Sequence, residues 1–310
     1  MARRLRVEYP GAVYHVMNRG DRREPIARTE QDREMFLDTL AETCEKTGWQ
    51  VHAFCLMPNH FHLVVETPGA NLVSGMKWFL GTYTSRFNRR HRLVGHLFSG
   101  RYKSLFVEGS GNGYLKTVCD YVHLNPARAK LLAPEEILSR YGWSSYPAYL
   151  RPARQRPRWL RTDRLLGEHG LPCDTPAARR EFALRMEARR AAELDQEWKG
   201  VRRGWCLGSQ AFRKGLLEQM RGRTGPNHGG AERRESEEAW AEQLLAEELK
   251  RRRWTPAELQ QRRKGDAQKL KMARRLRGAT TMTLSWIAKR LNMGASGSLA
   301  NLLHDARKKQ

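Results

Sequence analysis

The stretch MPNHFHLVVE, residues 57–66, decides the fold. Pro58 and Asn59 make a tight turn, and residues 60–66 read as a strand leaving it. Side chains alternate across a strand, so His60 and His62 share one face, their Cα atoms roughly 7 Å apart at a rise of ~3.3 Å per residue. Phe61 points to the opposite face, where helices pack. Upstream, residues 50–57 read as a partner strand. Gly48 stops a helix over 31–46 whose apolar positions Met35, Phe36, Leu40 and Ala41 form one face. Residues 13–17 read as a first strand, ended by Asn18, Arg19 and Gly20. Downstream, residues 72–90 are a long helix with Leu72, Met76, Phe79, Leu80, Tyr83 and Phe87 at spacings of three and four, and residues 102–107 are a fourth strand. Strand, helix, strand, strand, helix, strand is the split βαβ order. It predicts an α+β, ferredoxin-like antiparallel sheet with two helices on one face, and the histidines on the other.

Two imidazoles on a rigid sheet can bind one divalent metal through neutral nitrogens. The same spacing also describes two ordinary histidines on a polar face; the tight turn that fixes the strand start favours the first reading. Residues 114–124 read as another helix, closed by Asn125 and Pro126. Tyr121 and Asn125, four apart, fall on one helical face. A tyrosine hydroxyl can attack phosphorus when its developing phenolate is stabilised and a metal polarises the phosphate. The Asn125 amide oxygen can add a third, harder ligand. Pro126 biases Asn125 away from helical geometry, and the plainer alternative puts Tyr121 in the core with Asn125 as a helix stop.

Composition narrows the partners. The 310 residues carry a formal net charge of +24, which points to a polyanion. With 40% hydrophobic residues and 9% aromatics the chain can build a core, which excludes wholesale disorder. Cys44, Cys55, Cys119, Cys173 and Cys206 are scattered without a CxxC pair, against a disulfide framework or thiolate zinc site and in keeping with a reducing cytoplasm. There is no secretory apolar segment and no apolar run of membrane-spanning length.

The charge is uneven: residues 1–150 hold 20 basic and 14 acidic side chains, residues 151–310 hold 37 and 19. From Thr67 to Val107 there is no acid, yet Lys77, Arg86, Arg89, Arg90, Arg92, Arg101 and Lys103 occur among seven aromatics. Basic groups neutralise phosphates and aromatic faces stack on unpaired bases. For most of these aromatics a place in the core is the better reading. An ordinary solvated face mixes both signs, so Lys77, Arg86, Arg89, Arg90, Arg101 and Lys103 are expected at DNA.

Residues 127–150 wrap the domain with Tyr141, Trp143, Tyr146 and Tyr149, and 151–161 read as a connector. Residues 177–198 and 232–253 are charged and helix-prone, with a flexible break at 222–230. Residues 283–291, the turn Asn292-Met293-Gly294 and residues 298–306 give a helix-turn-helix pattern, whose second helix enters a major groove. A plain helical hairpin is the alternative; the basic flanks, Lys289 and Arg290 among them, favour duplex DNA. The expected division is 1–150, 151–230 and 231–310.

The segments PNHFHLVVE (58–66), GTYTSRFNRRH (81–91), GHLFSGRYKS (95–104), YVHLNPARA (121–129) and YGWSSYPAYL (141–150) closely resemble the HUH single-tyrosine transposases of the insertion-sequence type. They look most like the REP-associated tyrosine transposase branch. The resemblance implies a nuclease that cuts single-stranded DNA at hairpin-flanked ends. By position, His60 and His62 would be paired metal ligands and Asn125 the third, with Mg or Mn bound. Tyr121 would be the nucleophile, leaving a 5′-phosphotyrosyl enzyme and a free 3′-hydroxyl. It further implies a monomer or homodimer in the nucleoid of a prokaryotic cytoplasm. Competing readings are a non-catalytic DNA-binding regulator on the same fold, a metal-water hydrolase, and an RNA-binding ferredoxin-like protein. The last lacks the expected aromatic motif on its strands.

Overall fold

The structure is a computed structural model that describes residues 7–192, 198–220, 231–280 and 282–308. Its first elements follow the expected order: β1 (Ala12–Arg19), α1 (Glu30–Thr47), β2 (Gln50–Leu56), β3 (His60–Thr67), α2 (Leu72–His91) and β4 (Lys103–Val107). The sheet runs β2-β3-β1-β4 with every one of these neighbours antiparallel, the ferredoxin-like order. Phe61 turns toward α1 and α2, where its ring centroid lies 5.3 Å from that of Phe36 and 6.0 Å from that of Phe79. α1 begins where Thr29 and Asp32 cap each other's backbone N–H groups. It stops at Gly48, whose φ of 71° is the left-handed geometry that glycine tolerates.

The opposite sheet face is covered as well. α3 (Tyr114–Arg128) packs on β2 and β3, so β3 is buried along most of its length. The sequence reading ended this helix at Asn125 and Pro126; it instead runs through Pro126 to Arg128. A proline cannot donate to the carbonyl of Val122 four residues back, and its ring crowds that turn. Helical bonding nevertheless reaches past the proline, with Ala129 N–H donating to Asn125 O at 2.9 Å, and Pro126 is buried among its neighbours. Asp120, fully buried on α3, pairs with His169 at 2.9 Å and Arg189 at 2.8 Å and ties the helix to the chain that follows.

That following chain packs onto the sheet domain. α4 (Tyr146–Tyr149), α5 (Asp163–Glu168), α6 (Pro176–Ala191) and α7 (Lys199–Arg203) lead to β5 (Cys206–Leu207), an unanticipated two-residue strand that adds to β4 in parallel. Phe182 of α6 sits 5.3 Å from the Tyr149 ring and 5.0 Å from that of His169. The expected connector is not free: Arg161 N–H donates to Val51 O at 2.8 Å. Glu66 near the end of β3 meets His52, Arg161 and Arg164, and chiefly the His52 hydrogen bond, then the Arg164 charge, hold its carboxyl down at about 2. The described residues divide into two compact units, one up to Lys214 and one from Gly215; the division falls within α8 (Gln210–Met220).

In the second unit α9 (Ala231–Arg252), α10 (Pro256–Gln261), α11 (Ala267–Ala279), α12 (Leu284–Arg290) and α13 (Ser296–Lys308) enclose Leu245, Met272, Leu276, Ile287, Leu291 and Leu299. Asn292 and Gly294 turn the chain between α12 and α13 with φ of 50° and 86°. Asn292 Nδ2 donates to Gln260 O at 2.8 Å, and the buried Lys269 ammonium donates to Arg262 O at 2.8 Å and Asn292 O at 3.4 Å. The expected break at 222–230 lies outside the described residues. Among the described residues no helix is long and apolar enough to cross a membrane. None of the five cysteines forms a disulfide, and four of them are buried.

Candidate active site

His60 and His62 meet on the α3 side of the sheet, ring centroids 5.1 Å apart and planes 78° apart. Each ring is held at Nδ1. His60 Nδ1 lies 2.7 Å from Asn59 Oδ1, and the Asn59 amide is oriented by its Nδ2 donating to Arg23 O at 3.2 Å. An amide oxygen only accepts, so His60 carries its proton on Nδ1 and keeps the Nε2 lone pair free. His62 Nδ1 lies 2.9 Å from Nε2 of His15 on β1. Burial penalises the charged imidazolium, bringing His60 and His15 down to about 4 and His62 well below its ordinary value. All three are therefore neutral at neutral pH, the form that ligates a metal.

α3 brings Tyr121 to this pair. Its ring centroid lies 5.7 Å from that of His62 and 5.9 Å from that of His15, edge-on to both. Arg128 lays its guanidinium 4.6 Å from the Tyr121 ring centroid and its Nη1 3.4 Å from Asn125 Oδ1. Trp198 packs on the same tyrosine at 5.6 Å. Tyr121 and Asn125 are each 7% exposed, so both are covered although neither is sealed. Because the helix continues through Pro126, Asn125 stays one turn beyond Tyr121.

The donors fit a divalent cation of a particular kind. Among the described residues no group of three or more His, Cys, Asp or Glu is arranged to hold a metal. What stands on the sheet is a pair of neutral imidazoles, with Tyr121 edge-on to His62 and the Asn125 amide one turn beyond Tyr121 on α3. Neutral donors leave a divalent cation its full charge, which suits an ion whose other ligands are phosphate oxygens. Asn125 Nδ2 is buried with no hydrogen-bond partner among the described residues, an unmet donor that a ligand oxygen can satisfy.

The basic residues expected at DNA divide by what they touch. Arg86 bonds through both Nη atoms to the Glu42 carboxylate on α1, Arg90 pairs with buried Asp32 at 3.2 Å, and Arg290 grips Glu242 of α9 through Nε and Nη2. These three residues, expected at DNA, each pair with a carboxylate on another helix. Within the acid-free window from Thr67 to Val107, Arg86 and Arg90 find their counter-charges on α1. Lys77, Arg89, Arg101, Lys103 and Lys289 are exposed. Lys103 lies opposite Met17, itself opposite His62, so it shares the histidine face two strands away.

Sequence reading passed over His15, Arg128 and Trp198. His15 stood on a recognised strand, yet only the register of β1 against β3 brings it to His62. Arg128 has the helical spacing of a Tyr121 neighbour, hidden by the expectation that Pro126 ends the helix. No local signal marks Trp198.

Residues 9–125 match the model of the family described as transposase, IS200-like. No curated protein matches the chain. A solved structure of the REP-associated tyrosine transposase bound to a REP hairpin is similar at 14% identity, over 51% of this chain and 91% of that chain, with a TM-score of 0.42. The matched segment contains His60, His62 and Tyr121 and ends at Asn125. Over residues 9–125 the chain is similar to the IS200-like transposase family.

Proposed function

We propose that this domain is a metal-dependent endonuclease and strand transferase for single-stranded DNA that cuts beside REP-like hairpins. The observation that supports this most is the Tyr121 ring standing edge-on to His62, with Asn125 one helical turn away. The Tyr121 phenol oxygen attacks the scissile phosphorus, and the bond from phosphorus to the 3′-oxygen breaks. The phenol gives up its proton and the departing oxygen takes one, leaving a 5′-phosphotyrosyl enzyme and a free 3′-hydroxyl. Attack by another 3′-hydroxyl reverses the step and joins strands with no external energy. Mg or Mn held by Nε2 of His60 and His62 and by the Asn125 amide oxygen would supply polarisation of the scissile phosphate. Arg128 sets positive charge beside the ring on which negative charge gathers.

Lys77, Arg89, Arg101 and Lys103 are assigned to the phosphates of the single strand and hairpin. In the second unit, α12, the turn at Asn292 and Gly294, and α13 are read as a helix-turn-helix, α13 entering a duplex major groove with Lys289 at the backbone. The setting is the nucleoid of a prokaryotic cytoplasm, with the protein a monomer or homodimer.

The test is covalent trapping. Wild-type protein with a hairpin-bearing single strand and Mn²⁺ should give a protein–DNA adduct stable on a denaturing gel. Tyr121→Phe should abolish the adduct while hairpin affinity stays close to wild type; adducts persisting in that variant would refute the assignment. The cover over Tyr121 favours one second reading, a regulator that binds DNA without cutting. It requires that wild-type protein bind the hairpin and form no adduct with any divalent ion.

A further inference from the structure

The contact between His15 and His62 decides whether the histidine pair can hold a cation at all. His15 is 2% exposed, and its Nε2 lies 2.9 Å from His62 Nδ1. The two ring centroids are 5.1 Å apart with planes only 17° apart. Rings that nearly share a plane, with nitrogens so close, meet edge to edge, and the contact lies along the direction in which one ring N–H points at the other's lone pair. One nitrogen must donate and the other accept, because a neutral imidazole has one of each.

The two possible arrangements have opposite consequences. If His15 donates, His62 accepts at Nδ1 and carries its own proton on Nε2, leaving no lone pair there for a cation. If His62 donates, its Nε2 lone pair is free. The neighbouring ring already shows the second pattern: the Asn59 oxygen fixes the proton of His60 on Nδ1 and leaves Nε2 open. The two rings present matching donors only when His15 accepts.

We infer that His15 is a positioning residue: its Nε2 accepts the Nδ1 proton of His62, fixing the tautomer and ring plane in which His62 can ligate a divalent cation. The inference rests on the cation reading proposed above. Backbone carbonyls and carboxylates commonly do this for metal-binding histidines; here a third imidazole does it, and its own proton is thereby placed on Nδ1. His15 lies on β1, at a strand position diagonal to His62, so the pairing register of β1 with β3 is what delivers it.

Two measurements on the full chain test this without using cleavage. Long-range proton–nitrogen NMR correlations on histidine-labelled protein read the tautomers in the absence of metal. His62 and His15 are both expected to be protonated at Nδ1. Mn²⁺ uptake followed by electron paramagnetic resonance reads the consequence. His15→Phe keeps a flat ring and loses the acceptor, and should weaken Mn²⁺ affinity by about 10–100-fold. His15→Gln, whose amide oxygen can accept, should recover most of that loss. A wild-type His62 protonated at Nε2, or a folded His15→Phe variant that takes up Mn²⁺ as tightly as wild type, overturns the inference. If His15→Phe fails to fold, the wild-type tautomers and His15→Gln still decide. Wild-type protein that takes up no Mn²⁺ sinks the cation reading and this role with it, whereas unchanged uptake in His15→Phe sinks the role of His15 alone.

Discussion

Arg128 makes two contacts that bear on the chemistry, one with the Tyr121 ring and one with the Asn125 amide oxygen. The guanidinium lies within cation–π range of the ring, and in the proposed reaction that attraction would grow as the phenol gives up its proton. An interaction that strengthens toward the transition state raises the rate of the chemical step, while one of constant strength only holds the ground state. Arg128→Ala should therefore slow single-turnover adduct formation at saturating hairpin DNA on the order of 10²-fold. Arg128→Lys should recover part of this, since an ammonium keeps the charge and loses the flat fork. Saturating DNA removes any contribution from lost phosphate affinity. Equal rates for Arg128→Ala and wild type would mean that the guanidinium only packs against the tyrosine.

On α2 the face a cation occupies matters more than its presence. Arg86 is turned to α1 and paired with Glu42, whereas Arg89 is exposed. Both partners of the Arg86 pair are more than a third exposed, so Arg86→Ala should lower stability by at most about 1 kcal/mol and leave hairpin affinity unchanged. Arg89→Ala should spare stability, weaken the hairpin complex and reduce the salt slope of binding by about 1. α12 repeats the contrast, with Lys289→Ala weakening duplex binding and Arg290→Ala acting on the contact with α9. Fluorescence anisotropy across a salt series on both DNAs, read beside thermal melts, separates these outcomes. A hairpin affinity that falls equally for Arg86 and Arg89 would give Arg86 a DNA role as well.

The same elements show what a sequence carries by itself. The βαββαβ order was legible because alternation, helical spacing and the turns at Gly48 and Pro58-Asn59 are local signals. The passage of α3 through Pro126 was not, since it depends on burial against β2 and β3, and β5 is too short to show any period. His60, His62, Tyr121 and Asn125 were legible from spacing and resemblance. His15 needed strand register, Arg128 an unbroken helix, and the partners of Arg86 and Arg290 lay on other helices.

Across the whole molecule, acid sensitivity is expected to be confined to one unit. Burial, the leading cause in each case, brings His15 and His60 to about 4 and His123 to about 3, and it lowers His62 and His52 as well. All five lie in the unit up to Lys214. In the unfolded chain each titrates near about 6.5. Between about pH 6.5 and about pH 4 the unfolded chain therefore binds protons that the native unit refuses, so stability present above that window is lost as pH falls through it. Carboxylates act lower: Glu66, held at about 2, contributes stability that persists until pH falls below the ordinary carboxylate range. Among the described residues the second unit has no buried histidine; its lowered groups are the carboxylates Glu248, Glu258 and Asp266 and the amine of Lys269. Acidification from about pH 7 to about pH 5 should loosen β1–β4 and α3 while α9–α13 keep their protection. Hydrogen exchange with mass spectrometry at the two pH values, corrected for intrinsic exchange, reads both units in one sample. His123 bonds Ser145 Oγ, outside the contacts around Tyr121, so His123→Gln removes one titrating group and should narrow the pH difference in the first unit without altering adduct chemistry. Protection lost equally from both units would show that something other than these imidazoles sets the acid limit.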